Sequence, residues 1–223
     1  MSLNLSDLQM MERSAAEALL LALDARDQET FQHSARVAEL CVGCAVKMGM
    51  SSDEQDDLRL AALLHDIGKI GLPDRVLHKS GKLTRNERQL VTHHPEMSVS
   101  ILTPLRTLSR VSEIILQHHE KFDGTGYPRG IRAEEILIES RILALADSYD
   151  ALSSMRPYRG PLRVASSVAW IKSQVGRQFC PVAALAFLDM VETAPHSNFC
   201  PPRAQVFPGE ERVVPQLRTG CEI

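Results

Sequence analysis

The sequence predicts an all-α domain, and two observations support this prediction. Apolar residues recur at helical spacing along most of the chain, and no stretch alternates apolar and polar residues for long enough to form a strand. The composition, with 44% hydrophobic and 24% charged residues, is ordinary for a globular protein. A chain of 223 residues buries about 70% of its unfolded surface, so it needs neither a disulfide nor a metal merely to fold.

Capping signals place the first three helices. Ser6 and Gln9 form a capping-box pair that would open the first helix. The second helix is expected over residues 30–48, where apolar residues recur every three or four positions. Ser52 with Gln55 would open the third.

Five further helices are expected from the same signals. The first of them opens at Thr84, which forms a capping-box pair with Glu87. The other four cover residues 111–118, 142–149, 162–175 and 182–191. We therefore expect a single domain over residues 1–193, with its N-terminal helix in residues 1–25. Five of the twelve prolines follow residue 194, so residues 194–223 are expected to form an irregular Pro-rich C-terminal tail.

Charge and cysteine usage exclude several classes of protein. The net charge of −3 argues against binding DNA or RNA through a basic face. The longest apolar run near the N-terminus, residues 18–23, is far shorter than the roughly 20 residues of a membrane span. The five cysteines follow no framework spacing, which favours a reducing, cytoplasmic protein. Cys41 and Cys44 share an apolar helical face, so we expect them in the core.

The candidate functional residues are histidines and carboxylates. Seven of the eight histidines lie between His33 and His119. A single histidine on an apolar face is usually a hydrogen-bonded core residue, so the prediction rests on the set. We read His78 and His93 as surface residues or as supports for a ligand. The members that stand at helix ends or on apolar faces form the candidate metal site: His33, His65, Asp66, His94, His118, His119 and Asp147.

This donor set favours particular metals. Imidazole and carboxylate suit iron, manganese or zinc, and the absence of cysteine from these segments disfavours a structural zinc site. Adjacent helical residues point about 100° apart, so His118 and His119 suit two neighbouring ions. Two ions about 3.5–4 Å apart with a shared hydroxide are a common device for hydrolysing phosphoesters. We therefore expect divalent iron or manganese.

Five motifs occur in an order that resembles a known family. They are HDIGKIGLP at 65–73, THHP at 92–95, HHEKFDGTGYP at 118–128, ADSYDAL at 146–152 and RPYR at 156–159. Together they resemble the HD-GYP family, which consists of bacterial cyclic di-GMP phosphodiesterases within the HD metal-dependent phosphohydrolases. The similarity runs from about residue 26 to residue 188, and it implies a single helical domain of the HD type.

The resemblance implies a role for individual residues. The candidate ligand set matches the metal ligands of the family, with Asp66 as the bridging and catalytic carboxylate. Glu29 matches an extra ligand of those members that hold three ions rather than two. Lys69 matches the lysine at the scissile phosphate, and Tyr127 lies in the loop on the substrate side. Arg156 and Arg159 match positions that hold the phosphates of the substrate.

The expected function is hydrolysis of cyclic di-GMP to linear pGpG, and to GMP where hydrolysis continues, through a hydroxide that bridges two metals. Diguanylate cyclase (GGDEF) proteins are implied as partners, and a homodimer is one expected state. Two alternatives stay open: a phosphohydrolase for another cyclic dinucleotide, and a non-catalytic signalling module that binds cyclic di-GMP or a diguanylate cyclase. One departure from the family pattern is Cys180 before Pro181, where Asp would cap the last helix better.

Overall fold

The computed structural model describes residues 4–154 and 163–193 and confirms the all-α prediction. Within these residues the only β-structure is an isolated bridge between Val175 and Phe179. Short 3₁₀ turns cover Ile67–Gly71, Arg106–Leu108 and Ala133–Glu135. The α-helices of the described residues are α1 Leu5–Arg26, α2 Gln28–Lys47, α3 Ser52–Leu64, α4 Asp74–Leu77, α5 Arg85–Thr92, α6 His94–Leu102, α7 Ser109–Leu116, α8 Ile138–Ser153, α9 Val164–Gln174 and α10 Pro181–Thr193.

Two of the predicted capping pairs were wrong. The side chain of Asn4 caps α1 by accepting from the backbone N–H of Asp7, because asparagine is a strong N-cap and precedes Ser6. Helix α3 starts from Ser51, whose N–H and hydroxyl both donate to the Glu54 carboxylate. A carboxylate accepts more strongly than the amide of Gln55, so the capping box forms one residue earlier than expected.

Other boundaries lie close to the predictions. The capping box of Thr84 and Glu87 is confirmed at the start of α5. Helix α2 opens two residues before residue 30, because Asp27 accepts from both the N–H and the hydroxyl of Thr30. Arg156, Arg159 and the predicted tail from residue 194 lie outside the described residues. The division into a domain over residues 1–193 and a tail therefore stays a prediction.

Helix α2 lies at the centre of the fold and packs against α1, α3, α8 and α10. Its apolar face includes Cys41 and Cys44, which are fully buried free thiols, as expected of core residues. Tyr149 on α8 is likewise buried against Phe187 of α10. No helix of the described residues combines the length and apolarity needed to cross a lipid bilayer.

A close approach of backbone segments fixes the 3₁₀ turn after α3. The Gly68 N–H donates to the Ser98 hydroxyl over 2.9 Å, and that hydroxyl donates to the carbonyl of His65 over 3.0 Å. A Cβ atom on Gly68 would lie 2.2 Å from the carbonyl oxygen of His94, so only glycine fits here. The contact holds the His65–Asp66 pair against the start of α6.

Gly68→Ala should therefore destabilise the protein by about 1–3 kcal/mol, as expected when backbone must shift to admit a methyl group. The measurement is the urea midpoint followed by circular dichroism. Gly81→Ala is the matched control, because a Cβ there meets nothing within 4 Å. Equal midpoints for the two variants would contradict the close approach.

Candidate metal centre

Two groups of three potential ligands meet in the described residues. His33, His65 and Asp66 form one group, and the other consists of His94, His118 and His119. Within each group the donor atoms all lie within 4.8 Å of one another. Helices α2, α3, α6 and α7 supply the donors at their ends or inner faces, so the core packing described above brings the groups together.

Asp66 joins the two groups. Its Oδ2 lies 3.3 Å from Nε2 of His65, and its Oδ1 lies 3.2 Å from Nε2 of His94. Burial would raise the pKa of this carboxyl, but the charges of His65 and Lys69 hold it well below its ordinary value. Asp66 is therefore a buried anion with one oxygen directed at each group, which is the geometry of a bridging carboxylate.

A shared device orients three of the histidine rings. Each ring donates its Nδ1–H to a carbonyl three residues earlier: His65 to Ala62 at 2.8 Å, His94 to Val91 at 2.7 Å, and His118 to Ile115 at 2.6 Å. These carbonyls belong to the last turns of α3, α5 and α7, where helices leave carbonyls without an i+4 partner. The hydrogen bond places the proton on Nδ1, which leaves the Nε2 lone pair directed into the site.

The rings of the second group are held neutral. Burial lowers the pKa of His94 to about 4 and that of His119 to about 3, and it moves the pKa of His118 well below the ordinary value. His94 Nε2 and His118 Nε2 lie only 3.3 Å apart. Two neutral rings with their lone pairs this close are stabilised by a cation between them, so the residues fit a metal ion.

His33 occupies the opposite electrostatic environment. Its Nε2 lies 3.0 Å from Oδ1 of Asp147, and its Nδ1 donates to Oδ2 of Asp150 over 2.7 Å. Burial disfavours the charged ring, but the hydrogen bonds to the two carboxylates outweigh burial and raise the pKa of His33 to about 9. The two carboxylates therefore favour positive charge at His33, which is also a member of the first ligand group.

Asp150 and Arg36 belong to the site, and sequence reasoning missed both. Asp150 is 4% exposed and accepts from the Arg36 guanidinium at 2.7 and 2.9 Å as well as from His33. Burial would raise its pKa, but the hydrogen bonds from His33 and Arg36 lower it to about 2. The available signal was spacing: Asp147 and Asp150 share one face of α8, and His33 and Arg36 share one face of α2.

The remaining predicted residues fall in different places. Lys69 lies at the centre, with its ammonium 2.5 Å from Oδ2 of Asp66. The Tyr127 ring centroid is 4.8 Å from that of His119. Glu29 is exposed in the first turn of α2, outside both ligand groups, so its role as an extra ligand stays a prediction. His78 and His93 are exposed, in keeping with surface residues.

A cavity of about 70 Å³ opens beside the second ligand group. The polar residues that line it include His119, Glu120, Lys121, Tyr127, Asp147, Ser148 and Gln178. The amide of Gln178 makes only a long 3.5 Å contact with the Ser148 hydroxyl. Sequence reasoning missed Glu120, Lys121, Ser148 and Gln178, although Glu120 directly follows His119 and Ser148 directly follows Asp147.

The chain is similar to several known proteins. The model of the HD domain family matches residues 17–181, which include the donors from His33 to Asp147. A cyclic di-GMP phosphodiesterase of Thermotoga maritima is 42% identical over 176 residues, covering 78% of this chain and 48% of that protein. A 3'3'-cGAMP-specific phosphodiesterase of Vibrio cholerae is 43% identical over 154 residues, covering 68% of this chain and 36% of that protein. The chain thus spans about half or less of the length of these relatives.

A solved structure also shares the fold. An HDG"Y"P protein from Bdellovibrio bacteriovorus superimposes with a TM-score of 0.62 at 21% identity, covering 85% of this chain and 65% of that one. At this identity the likeness supports the helical architecture.

Asp150→Asn should weaken binding of manganese(II) by about 10–100-fold, because the carboxylate behind a ligating histidine sets its orientation and basicity. The dissociation constant is measured by titration calorimetry under anaerobic conditions. Asp189→Asn is the control, since Asp189 is an exposed partner of Lys47 far along α10. An unchanged dissociation constant in Asp150→Asn would show that His33 needs no support from α8.

Proposed function

Because the chain belongs to the HD domain family, we propose that it is a metal-dependent phosphodiesterase that hydrolyses cyclic di-GMP. The family match confirms the identification made from the sequence motifs. One observation carries the proposal: two ligand groups are joined by Asp66, and the Lys69 ammonium lies at the same carboxylate. This arrangement puts a cation and two groups of potential metal ligands around one point, which supports metal-assisted hydrolysis of a phosphoester.

The ligand groups divide the metals between two sets of helices. We propose that His33, His65 and Asp147 hold one divalent ion, that His94, His118 and His119 hold the other, and that Asp66 contacts both. Such ions supply a nucleophile from water near neutral pH and neutralise charge on the phosphoryl oxygens. The mixture of imidazole and carboxylate favours iron or manganese. Glu29 is the proposed extra ligand for a third ion.

Lys69 and Asp66 have complementary tasks. The Lys69 side chain is 27% exposed, so its ammonium can face both the buried Asp66 and a bound phosphate. A fixed cation here stabilises the negative charge that develops on the phosphoryl oxygens during the reaction. Asp66 orients the attacking water and is the proposed acceptor of its proton.

The substrate side of the site is the cavity beside His119. We propose that Tyr127 stacks on a guanine and that Gln178 and Ser148 donate hydrogen bonds to the nucleotide, because their polar groups line the cavity with little pairing of their own. Arg156 and Arg159 are proposed to hold the phosphates of the substrate, on the strength of the motif alone.

The relatives suggest two substrates. One is described as acting on cyclic di-GMP and the other as specific for 3'3'-cGAMP, at almost the same identity to this chain. We propose cyclic di-GMP as the main substrate, with pGpG and then GMP as products. The alternative substrate is 3'3'-cGAMP, and the alternative function is a binding module without turnover.

The setting of the enzyme is proposed on the same basis. We place it in the cytoplasm, with diguanylate cyclases (GGDEF proteins) as partners and a homodimer as the working state. Binding of nucleic acid or of a membrane is not part of the proposal, because the charge is balanced and the apolar runs are short.

The deciding experiment is product analysis by anion-exchange chromatography. Protein purified without oxygen and loaded with iron(II) or manganese(II) is given cyclic di-GMP and 3'3'-cGAMP in separate reactions. Formation of pGpG or GMP from cyclic di-GMP at the higher rate supports the proposal. Faster loss of 3'3'-cGAMP would change the substrate, and bound cyclic di-GMP without any product would favour the signalling module.

Asp66→Ala should abolish both turnover and metal loading, because it removes the only carboxylate that joins the two ligand groups among the described residues. Metal content is measured by mass spectrometry of the purified protein, and turnover by the chromatographic assay. Asp56→Ala is the control, since Asp56 is an exposed residue on α3. A fully active Asp66→Ala variant would rule out the bridged site.

Gln178→Leu should raise the KM for cyclic di-GMP by about 2–10-fold with little change in kcat, as expected for loss of one hydrogen bond to the nucleotide. The matched control is Gln174→Leu, four residues earlier, whose amide only bonds the exposed Ser173 hydroxyl. A KM unchanged from that of Gln174→Leu would place the nucleotide elsewhere.

A further inference from the structure

The buried carboxylate of Glu120 holds together the two ends of the loop that carries Tyr127. Glu120 is 3% exposed, and its Oε1 accepts from the backbone N–H of Arg129 at 2.6 Å and of Gly130 at 3.1 Å. Residues 120–130, here named the Tyr127 loop, are thus tied together at both ends by one side chain. This carboxylate is neither a proposed metal ligand nor one of the proposed catalytic groups.

The Tyr127 loop folds back onto the segment that bears the ligands. The Tyr127 N–H donates to the carbonyl of His119 over 3.2 Å. A Cβ atom on Gly126 would lie 2.3 Å from the backbone nitrogen of Lys121 and 2.5 Å from Cα of Glu120, so the two backbones are in direct contact. This contact sets the Tyr127 ring against the His119 ring, with the ring planes tilted by 32°.

Other fastenings of the loop act away from Tyr127 or at the surface. The Gly124 N–H donates to the carbonyl of Lys121, which shapes the turn before Tyr127. The guanidinium of Arg129 pairs with Glu113, but both side chains are more than a third exposed. Exposed ion pairs contribute little, whereas a buried carboxylate that accepts two backbone N–H groups is expensive to lose. Glu120 is therefore a strong buried restraint on the far side of the loop, beside the backbone hydrogen bond from the Ala133 N–H to the carbonyl of Phe122.

We propose that Glu120 is a positioning residue that holds Tyr127 against His119 and so sets the affinity of the site for a nucleotide. The inference rests on the proposed function insofar as the nucleotide is cyclic di-GMP. Glu120 lies at the wall of the cavity, but its Oε1 is engaged by the backbone N–H groups of residues 129 and 130, so it acts through that backbone and the ring of Tyr127. Its Oε2 has no hydrogen-bond partner among the described residues, so glutamine can replace it with the amide nitrogen in that position.

The test compares Glu120→Ala and Glu120→Gln in the full chain loaded with manganese(II). Glu120→Ala should raise the KM for cyclic di-GMP by about 10-fold or more through misplacement of Tyr127, with kcat changed far less and with metal content unchanged. Glu120→Gln should recover most of the affinity, because its carbonyl still accepts from both N–H groups. Glu113→Gln, which alters the exposed contact to the same loop, is the matched control and should change KM little.

A double-mutant cycle separates positioning from a general structural role. In a Tyr127→Ala background, Glu120→Ala should raise KM by less than about 2-fold, because the ring that it positions is gone. An effect of equal size in both backgrounds would overturn the inference. So would a loss of metal with KM unchanged, since Glu120 would then act on the ligands. Should Glu120→Ala not fold, Glu120→Asp makes the same comparison, because its shorter side chain cannot span to both N–H groups.

A readout without substrate keeps the two proposals distinguishable. Hydrogen exchange of residues 121–132 should be accelerated by about 10-fold in Glu120→Ala relative to wild type, and not in Glu113→Gln. If the wild type neither binds nor hydrolyses cyclic di-GMP, the proposed function fails, while faster exchange in this segment still supports the positioning role. Unchanged exchange would overturn that role whatever the substrate.

Discussion

The buried charge of Asp66 is the constraint on which the rest of the site depends. An ionised carboxylate that is 2% exposed is costly unless cations and hydrogen-bond donors surround it. Lys69 supplies one such charge. Nε2 of His65 and Nε2 of His94 each lie close to one of the two Asp66 oxygens. The backbone contact between Gly68 and Ser98 makes this crowding possible, because it draws the end of α3 to the start of α6. The packing of α3 against α6 and the arrangement of the site are therefore coupled through Asp66.

The remaining donors follow from how helices end. A helix leaves its last carbonyls without an i+4 donor, and the rings of His65, His94 and His118 each take one of them. The same hydrogen bond fixes the tautomer and directs Nε2 away from the helix. Three helix ends that meet in one place thus present three imidazole rings with Nε2 directed into the site, and the local backbone does the orienting that carboxylates perform in other metal sites. His33 lies inside α2, where no free carbonyl exists, and it depends on Asp150 instead.

Features set by the local sequence could be predicted, whereas features that depend on the packing of distant helices could not. The ligands were predictable, because His65 and His118 stand at the ends of apolar stretches and the motifs occur in order. Asp150 escaped notice because its role appears only when α8 lies against α2. Gln178 was missed for a related reason: backbone hydrogen bonds to Phe122 and Asp123 carry its segment to the site across more than fifty residues of chain. The caps at Asn4 and Ser51 were missed because neighbouring residues offered a similar pattern.

Two buried carboxylates, Asp150 and Glu120, support different parts of the site. Asp150 supports His33 on the side of the metals, and Glu120 supports Tyr127 on the side of the cavity, so neither has to touch a phosphate. They act on separate elements, α2 with α8 in one case and the Tyr127 loop in the other, and the two carboxylates share no hydrogen-bond partner among the described residues. Changes behind the ligands should therefore alter metal binding, whereas changes behind the loop should alter nucleotide affinity.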